Sequence, residues 1–577
     1  MMRALIENPA GPIEASLRLS WRRWLPFVAV AAIALLGLKL RIYHLDFPSI
    51  GMHNMKENEY LSEARFMTRS GDYLRRRVHL AGLEEGDGAF RKARLQGDLP
   101  EEYPQIPLVP WIILFSWKVL GEGFWQARLP IVLFSCATFF ALFFFARRLS
   151  GRTLLALIAV FLLAILPEHV FFGRNIQPES PALFFTLLAS TCWLRLLDAG
   201  RPRDAFLFGL FLGVAGLFKY TFLIASIPLF LIALGHDERR NLARAFSRWH
   251  WMALGLLPLA GWILLAPLLN ERDALFAGTL PRVRPFEIFT VDYWARWGST
   301  LLHFTKLNYS AGVVALFAVG VLVLAFSKTA ARMRLFVLGS LLSAVPYAML
   351  LSDYLRGHSY YQFPFLPFVC LGAAAGLVTA GDALAHRLRR PFAVLAPMLV
   401  LIPVLPGMLH ETDRHWDTIF FGLDVAADYL GRHSQPDERL FVIGPHQAAG
   451  VCYNADRMCA FSPTLEEIRR GEDRLGFQWA FVYGTPGLAS LRETPERLEH
   501  LESQYELRQM SFFRTKDGMS LQTLLLRRGG SSDLLHLERN PIARATQASV
   551  RDYDTKSGVL SLVSVAKDET ARAQGLP

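Results

Sequence analysis

The chain has 577 residues, 52% of them hydrophobic, a mean hydropathy of +0.27 and only 19% charged side chains, below the roughly 25% of soluble domains. That composition excludes an ordinary soluble enzyme and marks a polytopic membrane protein. The net charge of +11 sits largely in short clusters between apolar runs, so it reads as orientation signal and excludes nucleic-acid binding.

Residues 24–41 read as a first transmembrane helix with a cytoplasmic N-terminus. Arg18, Arg22 and Arg23 precede it without a convincing cleavage site, so it reads as an uncleaved anchor. Residues 42–126 then form a long outer loop. Within it, 53–73 (HNMKENEYLSEARFMTRSGDY) winds as a short amphipathic helix. Glu57, Tyr60, Leu61, Ala64 and Met67 share one side, whereas Glu59 and Glu63 point toward solvent or headgroups. A carboxylate on an apolar face costs free energy unless it is paired or used. The plainer reading is a surface helix whose N-terminal Glu suits the helix dipole.

The stretch 106–120 (IPLVPWIILFSWKVL) covers only roughly 22 Å as a helix, short of the roughly 30 Å hydrocarbon core. It reads as a second helix at the membrane surface. The following spans are then 129–146, 153–172, 181–198, 204–218, 221–235, 251–269, 310–326, 333–351, 361–380 and 391–409. Basic clusters such as Arg147, Arg148 and Arg152, or Arg387, Arg389 and Arg390, all fall in cytoplasmic connections. Counting 106–120 as a span reverses the later ones and breaks the positive-inside rule. The expectation is about eleven spans, N-terminus in and C-terminus out. The loop 270–309 is a second large outer loop, with Trp294 and Trp297 suited to the interface.

After Leu409 the composition changes. Residues 411–530 alternate helical and strand-like runs and read as a small α/β domain on the outer side. Its GPHQAAG, Gly444 to Gly450, is a loop after a strand and lacks the GxGxxG spacing of a nucleotide site. Residues 531–577 are polar and read as a loosely ordered tail. Five Cys make no disulfide framework. Cys136, Cys192 and Cys370 lie in apolar runs; Cys452 and Cys459 can pair if the C-terminal part lies outside the cytoplasm.

Several charged and aromatic side chains collect at outer loop ends: Arg128 in QARLP, Arg174 and Glu179 in GRNIQPESP, Lys219 in GLFKY, and His358, Tyr360 and Tyr361 in RGHSYYQFPFLP. Taken singly, each is an interfacial anchor that snorkels. Together they place carboxylates, cations and aromatics on one membrane face. Cations suit a lipid phosphate, aromatics a sugar ring, and a carboxylate a general base.

In layout and motif order the chain resembles the GT-C membrane glycosyltransferases. It is most like the bacterial group related to protein O-mannosyltransferases, lipid A aminoarabinose transferases and rhizobial lipopolysaccharide transferases. KENEY, Ala64-Arg65 and SGDY stand in the places of the family's first-loop acid pair, Ala-Arg and Gly-Asp-aromatic. YPQIPLVPW, GEGFWQARLP, GRNIQPES, GLFK and HSYYQFPFLP follow in the family's order over roughly 24–410. The resemblance implies a transmembrane GT-C domain over 1–410, followed by the 411–530 module and the 531–577 tail. It also implies a bacterial inner-membrane enzyme moving a sugar from a polyprenyl-phosphate donor to a lipid, glycan or protein acceptor at the periplasmic face. Glu57 is then the base and Glu179 orders the acceptor or loop. Arg128, Arg174 and Lys219 bind phosphate, while Lys56, Tyr60, His358, Tyr360 and Tyr361 line the substrate site. Lys56 replaces the first acid of the family pair, so no cofactor is expected and a divalent metal is disfavoured. A lipid-linked glycan flippase and an inactive GT-C scaffold are the alternative functions; the outer position of the charges and the lack of an inverted repeat speak against the flippase.

Overall fold

In the computed structural model of the chain, the described residues are 12–80, 106–235, 239–269, 282–326, 331–387, 392–515, 518–544 and 548–567. The membrane part opens with α1 (Pro12–Arg41) and α2 (Asn54–Ser70). Then come α3 (Leu108–Leu120), α4 (Phe124–Ser150), α5 (Thr153–Ile165), α6 (Pro167–Phe172), α7 (Glu179–Ala199) and α8 (Pro202–Phe218). A 3-10 segment, Tyr220–Ala225, leads to α9 (Ser226–Leu234), α10 (Arg239–Phe246), α11 (Trp249–Leu269), α12 (Val291–Phe326) and α13 (Ala331–Gly357). A second, Ser359–Phe365, leads to α14 (Leu366–Arg387), α15 (Phe392–Leu401) and α16 (Leu405–Asp417).

Among the described residues seven helices are long and apolar enough to cross a membrane: Trp24–Arg41, Phe124–Ser150, Glu179–Ala199, Trp249–Ala266, Val291–Phe326, Ala331–Gly357 and Ser359–Asp382. They coincide with seven of the expected spans. The other four, 153–172, 204–218, 221–235 and 391–409, fall in shorter helices. The break in 153–172 has a local cause. Pro167 lacks an amide hydrogen and pushes Leu166 to an extended conformation (φ −65°, ψ 125°), which ends α5. Within α12, Ser310 has φ 62° and joins two helices, so the expected outer loop 270–309 is helical from Val291 onward. The short helix α3 packs on α2 and α4.

The span α11 crosses α8 very closely. A Cβ on Gly209 would stand 2.2 Å from the Met252 carbonyl oxygen, and one on Gly255 would stand 2.3 Å from that of Phe206. Only paired glycines admit such an approach, which supplies dispersion contacts where lipid offers no hydrophobic drive.

The C-terminal domain is built on a seven-stranded mixed sheet, helped by α17 (Leu423–His433), α18 (Gly450–Ala455), α19 (Leu465–Arg474), α20 (Gly484–Arg492) and α21 (Pro495–Gln504). The strands are β1 (Arg439–Ile443), β2 (Cys459–Phe461), β3 (Phe477–Tyr483), β4 (Tyr505–Thr515), β5 (Gly518–Arg528), β6 (Ala548–Thr555) and β7 (Gly558–Ala566). Their order is β2-β1-β3-β5-β4-β7-β6, with β1 parallel to β2 and β3 and the other pairs antiparallel. Alternate residues serve opposite faces. Leu440, Val442, Trp479 and Phe481 pack under α17 and α18. Phe441, Ile443, Ala480 and Val482 pack under α19, α20 and α21.

Two expectations are corrected here. The tail 531–577 is not loosely ordered over 548–567, where β6 and β7 form a hairpin that completes the sheet. Tyr553 of β6 is buried and donates to Asp424 at 2.5 Å. Nor does the domain begin at 411. Ile50 sits in its core with Phe47 and Leu80 packed against it, Phe420 N donates to Ile50 O at 2.7 Å, and Leu80 bridges Cys459 at the β2 edge. The first outer loop is therefore built into the C-terminal sheet.

Candidate active site

The helix α2 follows a left-handed residue, His53 (φ 55°), and ends at Gly71 (φ 71°). Its first turn presents Glu57 to Arg128 in the first turns of α4. Arg128 Nε and Nη2 donate to the two Glu57 oxygens, each at 2.8 Å. Ser49 Oγ adds a bond at 2.7 Å and the Ile176 amide one at 3.4 Å. The same guanidinium donates to the carbonyls of Leu45 (2.9 Å) and Phe47 (2.5 Å). Both partners are buried. Burial alone raises the Glu57 carboxyl, but Arg128 outweighs it through charge and hydrogen bonds, with Arg174 and Ser49 assisting, and holds the group at about 2.

Glu57, expected as the base, and Arg128, expected as a phosphate ligand, are paired with each other in this geometry. The carboxylate's lone pairs are occupied, and the arginine braces the 43–49 turn. Arg174 does related work. It donates to the carbonyls of Tyr43 (2.8 Å) and His44 (2.6 Å) and lies over the Trp416 ring at 4.4 Å. Arg128 is engaged by Glu57 and two carbonyls, whereas Arg174 Nε has no hydrogen-bond partner among the described residues.

Lys219 and Glu179 remain together. Lys219, in the turn after α8, donates to Glu179 at the start of α7. Its ammonium lies 4.3 Å from the Tyr360 ring centroid and 4.6 Å from that of Tyr361. Rings extend that wall: His358 stacks on Tyr360 at 5.1 Å, and His53 meets Tyr360 edge-on at 5.1 Å. Burial, with Lys56, Lys219 and His446 nearby, lowers the His358 imidazole to about 4; burial with His358, His415 and Lys219 lowers His53 to about 3. Both rings are therefore neutral at pH 7, fit for stacking. Opposite them Lys56 donates to Glu59 at 2.7 Å. Tyr60 opens onto an adjoining cleft walled by Arg76, Pro107, Leu108, Pro178 and Phe218.

Sequence periodicity misplaced two carboxylates. Glu63 does not point to solvent: it is fully buried and takes two bonds from Arg76, at 2.6 and 2.7 Å. Glu59 is only 16% exposed in its side chain and is paired with Lys56. The same reading passed over His53 and His446. The nearest sequence signal for His446 was its place in a Gly-flanked loop directly after a strand. Among the described residues, no group of three or more His, Cys, Asp and Glu could hold a metal ion.

The C-terminal domain closes over α2. Asn54 donates to the Gln447 carbonyl at 3.0 Å. Arg65 bonds Tyr453 twice, at 3.1 and 2.9 Å, and stacks on its ring at 4.1 Å. Arg69 grips Asp456 through both oxygens, and His79 reaches it at 2.8 Å. Cys452 and Cys459, expected as a possible pair, are joined in a disulfide across this segment.

A bundle of apolar helices, a first outer loop carrying a helix, and a C-terminal sheet domain over it define the GT-C fold of membrane glycosyltransferases. Residues 102–265 match the family model described as dolichyl-phosphate-mannose-protein mannosyltransferase. Among solved structures, the apo oligosaccharyltransferase of Archaeoglobus fulgidus is 12% identical with a TM-score of 0.55, over 93% of this chain and 80% of that one. Apo ArnT from Cupriavidus metallidurans is 14% identical with a TM-score of 0.53, over 88% of this chain and 98% of that one. AglB from A. fulgidus, in complex with an inhibitory peptide and a dolichol-phosphate, is 13% identical with a TM-score of 0.53, over 93% and 80%. These likenesses establish the fold, and the family resemblance seen in the sequence holds. No curated protein sequence matches the chain.

Proposed function

We propose that the chain transfers a sugar from a polyprenyl-phosphate-linked donor to a cell-envelope acceptor at the periplasmic face of a bacterial inner membrane. The observation that carries this is Lys219, tied to Glu179 and laid on Tyr360 and Tyr361. An ammonium accepts a lipid phosphate, and an aromatic wall accepts a sugar face. Lys219 neutralises the charge that grows on the leaving phosphate, where fixed electrostatics lower a barrier most. Glu179 positions that ammonium. His358, Tyr360 and Tyr361 stack the sugar, and Lys56 and Tyr60 border its entry. The donor is taken to be lipid-linked because the matched family and the dolichol-phosphate complex of AglB both involve such lipids.

Titration of the purified full chain with undecaprenyl phosphate tests this. Saturable binding, weakened by Lys219→Ala and untouched by truncating a lipid-facing residue such as Leu264, is expected. Binding equal to that of a neutral prenyl alcohol, in wild type and Lys219→Ala alike, contradicts it.

A further inference from the structure

We propose that the first half of α12, residues 291–309, docks flat on the phospholipid surface at the membrane face that carries the site; the inference does not depend on the transfer reading. Ser310, with φ 62°, separates this half from the apolar run that follows it. The contacts of its two ends fix how it lies. Tyr293 Oη donates to the Ser352 carbonyl at 3.2 Å, the Arg356 guanidinium lies over the Trp297 ring at 4.8 Å, and Asn308 donates to the Ser359 carbonyl at 3.0 Å. Tyr293 and Asn308 stand about 22 Å apart along a helix, whereas their partners span only 352 to 359, about 10 Å. A helix running alongside α13 would meet it residue for residue. This one crosses the end of α13, level with the segment that holds Tyr360 and Tyr361.

At about 100° per residue the side chains sort into three stripes. Tyr293, Trp297 and Asn308 face the protein. Asp292, Arg296, Ser299, His303 and Lys306 form an exposed polar stripe. Between the two, on one flank, lie Val291, Trp294 and Leu302, which are 83%, 55% and 71% exposed. A helix on a protein surface in water needs only two faces, one packed and one polar. A third stripe, apolar and open to the outside, is what a helix lying in a membrane interface presents. Acyl chains cover Val291, Trp294 and Leu302, and headgroup phosphates meet Arg296 and Lys306. Lys306 is free enough for this role: its side chain is 58% exposed and its Glu411 partner stands 4.0 Å away.

The docked helix bears on the site through Gln362. That side chain accepts from Asn308 at 3.0 Å and donates to Thr305 at 3.2 Å, while its carbonyl accepts from Tyr309 at 3.0 Å. Gln362 directly follows Tyr360 and Tyr361, so a helix seated in lipid braces the wall on which Lys219 lies.

The test places spin labels on the full-length chain in phosphatidylglycerol-containing nanodiscs, through Val291→Cys, Trp294→Cys, Leu302→Cys, Arg296→Cys, Ser299→Cys and His303→Cys made one at a time. All six positions are exposed, so the fold is retained, and the wild-type chain taken through the same labelling gives the background of its own cysteines. Accessibility to oxygen, which concentrates in lipid, is compared with accessibility to a water-soluble nickel chelate. Labels at 291, 294 and 302 are expected to favour oxygen several-fold, and labels at 296, 299 and 303 to favour nickel. Nickel access at both stripes would overturn the proposal by placing the helix in water. Access of neither reagent to 291, 294 and 302 would overturn it by showing that protein, a second copy or another partner, covers the stripe. Arg296→Glu with Lys306→Glu is expected to halve the oxygen preference at 302; an unchanged preference would remove the phosphates from the docking.

Discussion

Replacing Glu57 by Gln should destabilise the protein and should not act as a clean chemical knockout. The substitution leaves Arg128 charged, buried and facing a neutral amide, while its bonds to the Leu45 and Phe47 carbonyls remain. Removing one member of a buried ion pair costs about 3–5 kcal/mol. Titration gives a second route to the magnitude. The Glu57 carboxyl is held at about 2 against an ordinary 4.5, which at about 1.4 kcal/mol per unit amounts to roughly 3 kcal/mol of linked stability. Because the folded value is depressed, that stability is present above pH 4.5 and disappears as pH falls from there toward 2. Thermal unfolding in detergent across pH 2–7 should show a lowered midpoint for Glu57→Gln at neutral pH and a flatter acid limb than wild type. The double variant Glu57→Gln/Arg128→Met should be more stable than Arg128→Met alone, which strands a buried carboxylate. Wild-type stability and an unchanged acid limb in Glu57→Gln, with transfer abolished, would refute the anchoring role and return Glu57 to the chemistry.

Other consequences are equally checkable. Lys219→Ala should weaken undecaprenyl phosphate binding roughly tenfold to hundredfold, the loss of a charge-assisted bond worth about 1.5–3 kcal/mol, measured by titration of the folded variant. Cys452→Ser with Cys459→Ser should loosen the α18 segment that grips α2, read as faster limited proteolysis between 444 and 460 with the membrane part intact. Gly255→Leu should lower the yield of folded protein, because its Cβ alone meets the Phe206 carbonyl oxygen at 2.3 Å, and overpacking costs about 1–3 kcal/mol. A reporter fused after Gly121 should be periplasmic; a cytoplasmic signal would show that α3 crosses the membrane.

Hydropathy made the membrane part legible, since spans such as Phe124–Ser150 and Val291–Phe326 answer to length and composition alone. Breaks inside apolar runs were harder. Pro167 announces one in sequence, but Ser310 takes a left-handed conformation that nothing local requires. The β6–β7 hairpin was missed because polarity was weighed over pattern, although the Val- and Leu-rich run VLSLVSV follows a Lys-Ser-Gly turn. In the site, helical periodicity correctly put Glu57 on the buried side of α2 but could not tell a reactive carboxylate from a clamped one. That depended on Arg128, 71 residues away, and on carbonyls of the 43–47 turn. Glu59 and Glu63 were both read as solvent-facing, because a single-helix view omits what packs on the second face. Arg76 covers Glu63, and the His446 loop of the C-terminal domain comes down beside Glu59.

The central claim is sugar transfer from a lipid-phosphate donor at the outer membrane face. Mass spectrometry of envelope glycans and of polyprenyl-phosphate sugars, in a deletion strain and in the same strain complemented with the intact chain, tests it most directly. One sugar should be absent from the envelope of the deletion strain, its lipid-linked form should accumulate on the periplasmic leaflet, and complementation should reverse both. Unchanged envelope glycans, or a lipid-linked sugar trapped on the cytoplasmic leaflet as a flippase defect produces, would contradict it.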